Sequence, residues 1–183
     1  MGRPPPLRWL IAAGVAAVPG VHSSYAVQYL TIDQAQHQAF PTATDFRPVA
    51  ARREILARAL APEMTAPEGW SPKIAEARVA DRRLGWLIVD QVIGKTDAIT
   101  FAVAINLEGS VTSLEILEYR EAHGSEVRLP AWRRQFQGKR ASDPVVLGSD
   151  IRNISGATLS CRHVTEGVRR ALRLYDRLLR QPA

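Results

Sequence analysis

One cysteine, Cys161, and two methionines are all the sulfur this 183-residue sequence contains. A single thiol excludes an internal disulfide, an iron–sulfur cluster, a zinc-thiolate centre and a CxxCH haem site by counting alone. Cys161 falls inside a helical pattern and is expected to be a small buried residue. Two phosphate- and acyl-handling signatures are missing as well: the GxxxxGK[ST] loop and the GxSxG hydrolase elbow. No set of histidines and carboxylates is spaced for acid–base catalysis or metal binding, and His37 and His163 fall on helical stretches. No catalytic residue and no metal ligand is therefore assigned. No apolar run reaches the ~20 residues that a bilayer-spanning helix needs.

What is present suits a globular domain. Hydrophobic residues make up 46% and charged residues 23%, enough to build a core without tending to disorder. The first residues have the make-up of an export signal. Arg3 and Arg8 precede the uncharged run WLIAAGVAAV (Trp9 to Val18), Pro19 and Gly20 break it, and Ser24-Tyr25-Ala26 offers small residues for cleavage. The expected organisation is a signal peptide over 1–26 and one domain over 27–183, in an exported, periplasmic protein. The formal charge of +6 falls to +4 without the two signal arginines, a mild basic bias weighted toward the C-terminus. A nucleic-acid partner is not expected.

The pattern along the chain predicts an α+β domain: an antiparallel β-meander packed with helices, with a C-terminal helix starting at a Ser-Gly-Ala-Thr turn. Thr31 is placed to cap a helix over 32–40, which Pro41 stops. Residues 47–61 (RPVAARREILARALA) suggest an amphipathic helix with Ile55, Leu56 and Leu60 inward, and the proline-rich 62–72 a loop. Residues 84–94 are rich in β-branched and aromatic types. In 98–107, Ile99, Phe101, Val103, Ile105 and Leu107 alternate with small or polar residues, as in a strand with one buried face. Glu108-Gly109 supplies a turn, and 111–121 returns with a slip between Ile116 and Leu117 that suggests a bulge. Residues 122–149 are mostly loop. Trp132 and Phe136 are spaced four apart, either to pin a short helix to the core or to form an aromatic wall for a planar ligand. From Thr158 to Arg180, Val164, Val168, Leu172, Tyr175 and Leu179 recur at helical spacing, with Arg162, Arg169, Arg173, Arg177 and Arg180 on other faces.

The stretch DIRNISGATLSCRHVTEG, Asp150 to Gly167, carries the most chemistry. A helix N-terminus presents backbone N–H groups without intrahelical partners and about half a unit of positive charge. It therefore suits an anion, most often phosphate. Gly156 permits close approach, Ser155, Thr158 and Ser160 add hydroxyls, and Arg152 or Arg162 could add charge. The same residues also suit a plain Ser/Thr helix cap, worth ~1 kcal/mol and carrying no function.

SGATLS at the start of a C-terminal helix resembles the FMN-binding domain family, found in subunits of sodium-pumping NADH:quinone reductase and of the Rnf electron-transfer complex. The resemblance extends to YLTIDQAQHQAFPTA, to the meander GWLIVDQVIGKTDAITFAVAINLEGSVTSLEILEYRE, to Glu121 and Gly124 in EAHGSEV, and to Trp132, Phe136, Gly138 and Lys139 in WRRQFQGK. It implies that FMN is joined through its phosphate to Thr158, donated from FAD by a flavin transferase, with Ser155, Gly156, Ala157, Leu159 and Ser160 as the surrounding motif. It further implies electron transfer with a membrane-bound redox partner. Trp132 and Phe136 are candidates to contact the isoalloxazine ring, Glu121, His123 and Gly124 to form its rim, and Lys139 to bind the cofactor. One position departs from the family: an aspartate is usual three residues before the serine, where this chain has Arg152, and Asp150 is the nearest acid. Two other readings stay open: a non-flavinylated module of a membrane complex that binds an anion or a partner, and a small reductase whose substrate site is shaped by 120–140.

Overall fold

Strand-forming residues fill the middle of the chain, and they assemble into one six-stranded sheet. The structure, a computed structural model, describes residues 26–180. The expected signal peptide, apart from its last residue, lies outside them. The strands are β1 (Val27–Gln28), β2 (Asp45–Pro48), β3 (Lys73–Val79), β4 (Arg82–Ile93), β5 (Ala98–Asn106) and β6 (Val111–Tyr119). The helices are α1 (Ile32–Ala39), α2 (Arg53–Leu60), α3 (Pro130–Arg133) and α4 (Thr158–Leu174), the last continued by a π-helical turn over Tyr175–Leu179. The sheet order is β1-β6-β5-β4-β3-β2, with every neighbouring pair antiparallel. This is the α+β meander that the periodicity predicts, with α4 opening at the Ser-Gly-Ala-Thr turn.

Local signals account for much of this. Thr31 forms a capping box: its Oγ1 accepts from the Gln34 N–H at 3.1 Å, and Gln34 Oε1 accepts from the Thr31 N–H at 2.8 Å. The slip in β6 is a bulge. Pairing steps from Thr100–Glu118 to Phe101–Ile116, leaving Leu117 without a partner on β5. Ile116 packs on one side of the sheet and Leu117 on the other, so the bulge lets two consecutive apolar residues both be buried.

Two expectations are corrected. Residues 47–61 are not one helix, because Arg47 and Pro48 belong to β2, an edge strand on β3, and only Arg53–Leu60 is helical. An edge strand tolerates the proline that a helix interior or a central strand would not. Leu56 and Leu60 are buried as the periodicity requires, but Ile55 is exposed. Strand β5 does not have a single buried face either. Ile99, Phe101, Val103 and Ile105 pack under α2 and α4, while Ala102 and Ala104 are buried beneath α1. The small residues between the large ones are small because a helix lies over them. Leu107 has left the strand and is exposed.

Helix α4 is the main cover of the larger core. Cys161, Val164, Val168 and Leu172 are buried along it, with Tyr175 and Leu179 beyond. Arg170 is buried too, with its Nη2 3.1 Å from Asp90 Oδ2 on β4. Asp90 Oδ1 accepts from Trp70 Nε1 at 2.8 Å and from the Gln91 N–H at 2.8 Å. Burial pushes the Asp90 carboxyl up, with Arg170 acting against that rise. Close approach of α4 to β5 depends on Gly167, where an added Cβ would overlap the Phe101 ring. Gly167→Ala should therefore destabilise the fold. Alanine gains up to ~1 kcal/mol of helix propensity, but overpacking costs ~1–3 kcal/mol. A lower midpoint in thermal unfolding is expected, and a higher one would show that α4 does not sit this tightly on the sheet.

Candidate functional site

Three segments distant in sequence meet at one end of the sheet: the β4–β5 turn, the chain after β6, and the start of α4. Tyr119, the last residue of β6, ties two of them together. Its hydroxyl donates to the His123 carbonyl and lies 2.9 Å from Ser160 Oγ in the first turn of α4. Gly124 completes the junction. Its φ is +91°, and a Cβ there would come within 2.8 Å of both the Ser160 and Tyr119 hydroxyl oxygens, with the Ala157 backbone just beyond. Only glycine suits this place, for conformation and for space.

The Ser-Gly-Ala-Thr turn lies on this support. The Ala157 N–H donates to the Ile154 carbonyl at 3.1 Å, and Gly156 adopts φ +85°. Helix α4 begins at Thr158, so the capping position falls to Ala157, and no side chain caps the helix. Neither Ser155 nor Thr158 acts as the Ser/Thr cap that the sequence also allowed. Ala157 and Ser160 are buried, whereas Ser155, Gly156, Thr158 and Leu159 are exposed. The Thr158 hydroxyl accepts from Asn153 Nδ2 at 2.9 Å. An exposed hydroxyl thus stands at the first position of a long helix whose terminal N–H groups no side chain among the described residues satisfies.

A groove of about 370 Å³ runs past this hydroxyl. Residues 156–160 form one wall, and Lys95, Thr96, Glu121 and His123 the other. Glu121 fixes the β4–β5 turn. Its Oε1 accepts from the N–H of Thr96 at 2.6 Å and of Asp97 at 2.9 Å, and its Oε2 lies 3.3 Å from Thr96 Oγ1. Partial burial works to raise the Glu121 carboxyl, but the N–H groups of Asp97, Thr96 and Lys95 outweigh it and hold it below the usual range. His163, one turn into α4, faces the same junction from behind, with Nδ1 3.0 Å from the Gly94 carbonyl.

The candidate residues divide cleanly. Glu121, His123, Gly156, Ala157, Thr158, Leu159 and Ser160 come together around the groove, and Gly124 lies beneath it rather than on its rim. Ser155 sits on the turn beside it. Trp132 and Phe136 do not form an aromatic wall. Both are buried in the core, edge to face with centroids 5.0 Å apart, and Trp132 Nε1 donates to the Arg152 carbonyl at 2.8 Å. They support the chain that leads into the turn. Lys139 is likewise elsewhere: its Nζ is 2.8 Å from Asp150 Oδ2, and Asp150 also accepts from the N–H groups of Val145 and Val146. Asp150 clasps its own loop, and Arg152 is exposed. Burial pushes the Cys161 thiol up, consistent with a packing role. Lys95 and Thr96 join the groove although no pattern in the sequence marks them.

Comparison with known proteins bears on this same region. The model of the FMN-binding domain matches residues 94–173, which include the β4–β5 turn, Glu121, His123 and the whole Ser-Gly-Ala-Thr turn. Residues 94–173 are thus similar to the FMN-binding domain family. A relative from Acetobacterium woodii, one of the subunits of a Na⁺-translocating ferredoxin:NAD⁺ oxidoreductase complex, is 26% identical over 94 residues, covering 46% of this chain and 45% of that protein. The chain thus matches somewhat under half the length of that relative.

The groove fits what an FMN-binding domain must hold. A phosphate needs N–H donors and positive potential, which the uncapped α4 terminus and Lys95 supply. In the FMN-binding domain Glu121 is the acidic member of the groove, and its work is to hold the turn that carries Lys95 and Thr96. The turn should accordingly loosen in acid. A carboxyl held low in the folded state contributes stability above its unfolded value and loses it as pH falls through the folded one. The Thr96 and Asp97 amide signals should shift together, with a midpoint below the ordinary glutamate value of 4.5. A midpoint at or above that value would show that these hydrogen bonds do not persist in solution.

Proposed function

We propose that this protein is an exported electron-transfer flavoprotein whose FMN is joined through its phosphate to Thr158. The observation that carries the reading is the exposed Thr158 hydroxyl at an α4 terminus that no side chain caps, within the FMN-binding domain. In the attachment step the Thr158 oxygen bonds to the FMN-side phosphorus of FAD, AMP leaves, and the hydroxyl proton is released. A flavin transferase supplies the donor. The resulting phosphodiester keeps one negative charge at the helix terminus, an arrangement worth ~0.3–1 kcal/mol at an exposed site.

The bound flavin supplies one- and two-electron chemistry, while the protein supplies position and electrostatics. Lys95, Thr96 and His123 would hold the cofactor across the groove from α4. Glu121 would keep that wall in place, and Gly124 and Ser160 would fix the turn beneath it. The similarity to part of a Na⁺-translocating oxidoreductase complex supports a membrane-bound redox partner, with the domain on the exported, periplasmic side. Covalent attachment suits that setting, because a detached polar cofactor would be lost outside the cytoplasm.

The test is intact mass after denaturation. The full chain is expressed with its N-terminal segment beside a flavin transferase, and Thr158→Ala is treated alike. The native chain should gain the mass of FMN less water and fluoresce in a denaturing gel, and the variant should do neither. Unmodified mass in both would overturn covalent attachment and favour an anion- or partner-binding module instead.

A further inference from the structure

The opposite end of α4 holds a second, strongly basic pocket that the flavin reading does not use. It has a volume of about 580 Å³ and is lined by Arg78, Arg82, Arg83 and Arg180, with Trp86, Leu107 and Tyr175 as its apolar side and Asp81 as its one acid. The β3–β4 turn brings three of the arginines together, and Ala80 in that turn holds φ +51°, a conformation that non-glycine residues seldom adopt. The fourth, Arg180, directly follows the π-helical turn after α4. At 1.5 Å per residue, the 17 residues of α4 place this pocket ~25 Å from the Ser-Gly-Ala-Thr turn.

Internal partners satisfy only part of this charge. Glu76 pairs with Arg78 and with Arg83 at 3.1 Å, and Asp176 lies 3.2 Å from Arg180. Arg78 also donates to the Asp81 carbonyl. Arg82 makes no ion pair among the described residues and is exposed. The Nε atoms of Arg78 and Arg83 are buried with no hydrogen-bond partner among the described residues. Four guanidiniums therefore face three carboxylates, and donors are left over on three of the four arginines. The Arg83 guanidinium lies 5.0 Å from the Trp86 ring centroid, which holds it on the pocket wall.

We propose that this pocket binds a phosphate ester. Several guanidiniums converging on one cavity offer more donors than the two oxygens of a carboxylate can accept, and phosphate oxygens match their fork geometry. The cavity is larger than a phosphate alone. Trp86, Tyr175 and the half-exposed Leu107 give the organic part of the ester an apolar surface. Two sources share this chemistry: a soluble phosphomonoester, and the glycerophosphate headgroup of an anionic lipid.

The experiment measures both on the folded full chain. Titration calorimetry with sn-glycerol 3-phosphate at low salt reports the soluble source. Flotation with vesicles of phosphatidylglycerol and phosphatidylcholine in equal parts, against phosphatidylcholine alone, reports the lipid one. Arg82→Glu and the double variant Arg82→Ala/Arg180→Ala change exposed side chains, and circular dichroism melts verify that both fold. Binding to either probe should weaken about tenfold or more in these variants, since each removes charge-assisted hydrogen bonds to the phosphate. Binding kept at full strength in both arginine variants would place the phosphate at the α4 N-terminus rather than in this pocket. Calorimetric heat assigns a soluble ester, and binding confined to phosphatidylglycerol vesicles assigns a lipid headgroup. Absence of binding to both, or full affinity in Arg82→Glu, would overturn the proposal.

Discussion

The seating of α4 on β4 and β5 is the constraint from which the rest of the molecule follows. Phe101 under Gly167, the buried apolar row from Cys161 to Leu172, and the Asp90–Arg170 pair allow the helix one position on the sheet. A buried ion pair adds little net stability, because desolvation offsets most of its attraction. It does penalise a helix that slides or rotates, since either charge alone in the core is costly. With α4 fixed, both of its ends are fixed. The N-terminal end meets β6 through Tyr119 and Ser160, and the C-terminal end meets the start of β4 through Trp86 and Tyr175, which pack edge to face. The groove and the arginine pocket are therefore consequences of one packing decision.

How much of this could be read from the residues varies by element. The meander, the α1 cap, the β6 bulge and the course of α4 each rest on a local pattern, and local patterns survive folding here. Strand β2 was hidden because Asp45–Pro48 carries no alternation. It is an edge strand that exists through its pairing with β3. The second buried face of β5 was hidden because alanine suits a solvent face and a tight helix contact equally well. The site shows the same division. Thr158 and its neighbours are contiguous, and Glu121 and Gly124 stood out through a family resemblance. Lys95 and Thr96 reach the groove only because antiparallel pairing of β4, β5 and β6 brings their turn beside Glu121, which lies 25 positions from Thr96. Trp132 and Phe136 show the converse. Their spacing predicted a shared face correctly, but spacing does not say whether such a face meets a ligand or the core.

The bare terminus of α4 also has a reason in energy. A Ser, Thr, Asp or Asn in place of Ala157 would add ~1 kcal/mol by capping, whereas the buried Ala157, packed beside Gly124, has no oxygen to offer. A helix of 17 residues buried along one side does not need that contribution, because its stability comes from packing. Omitting the cap leaves the terminal N–H groups and their positive potential at the groove. The same site offers a nucleophilic oxygen to solvent and a place for the negative charge that its esterification would create. A capped helix would be slightly more stable, but one of those N–H groups would be taken up by the cap.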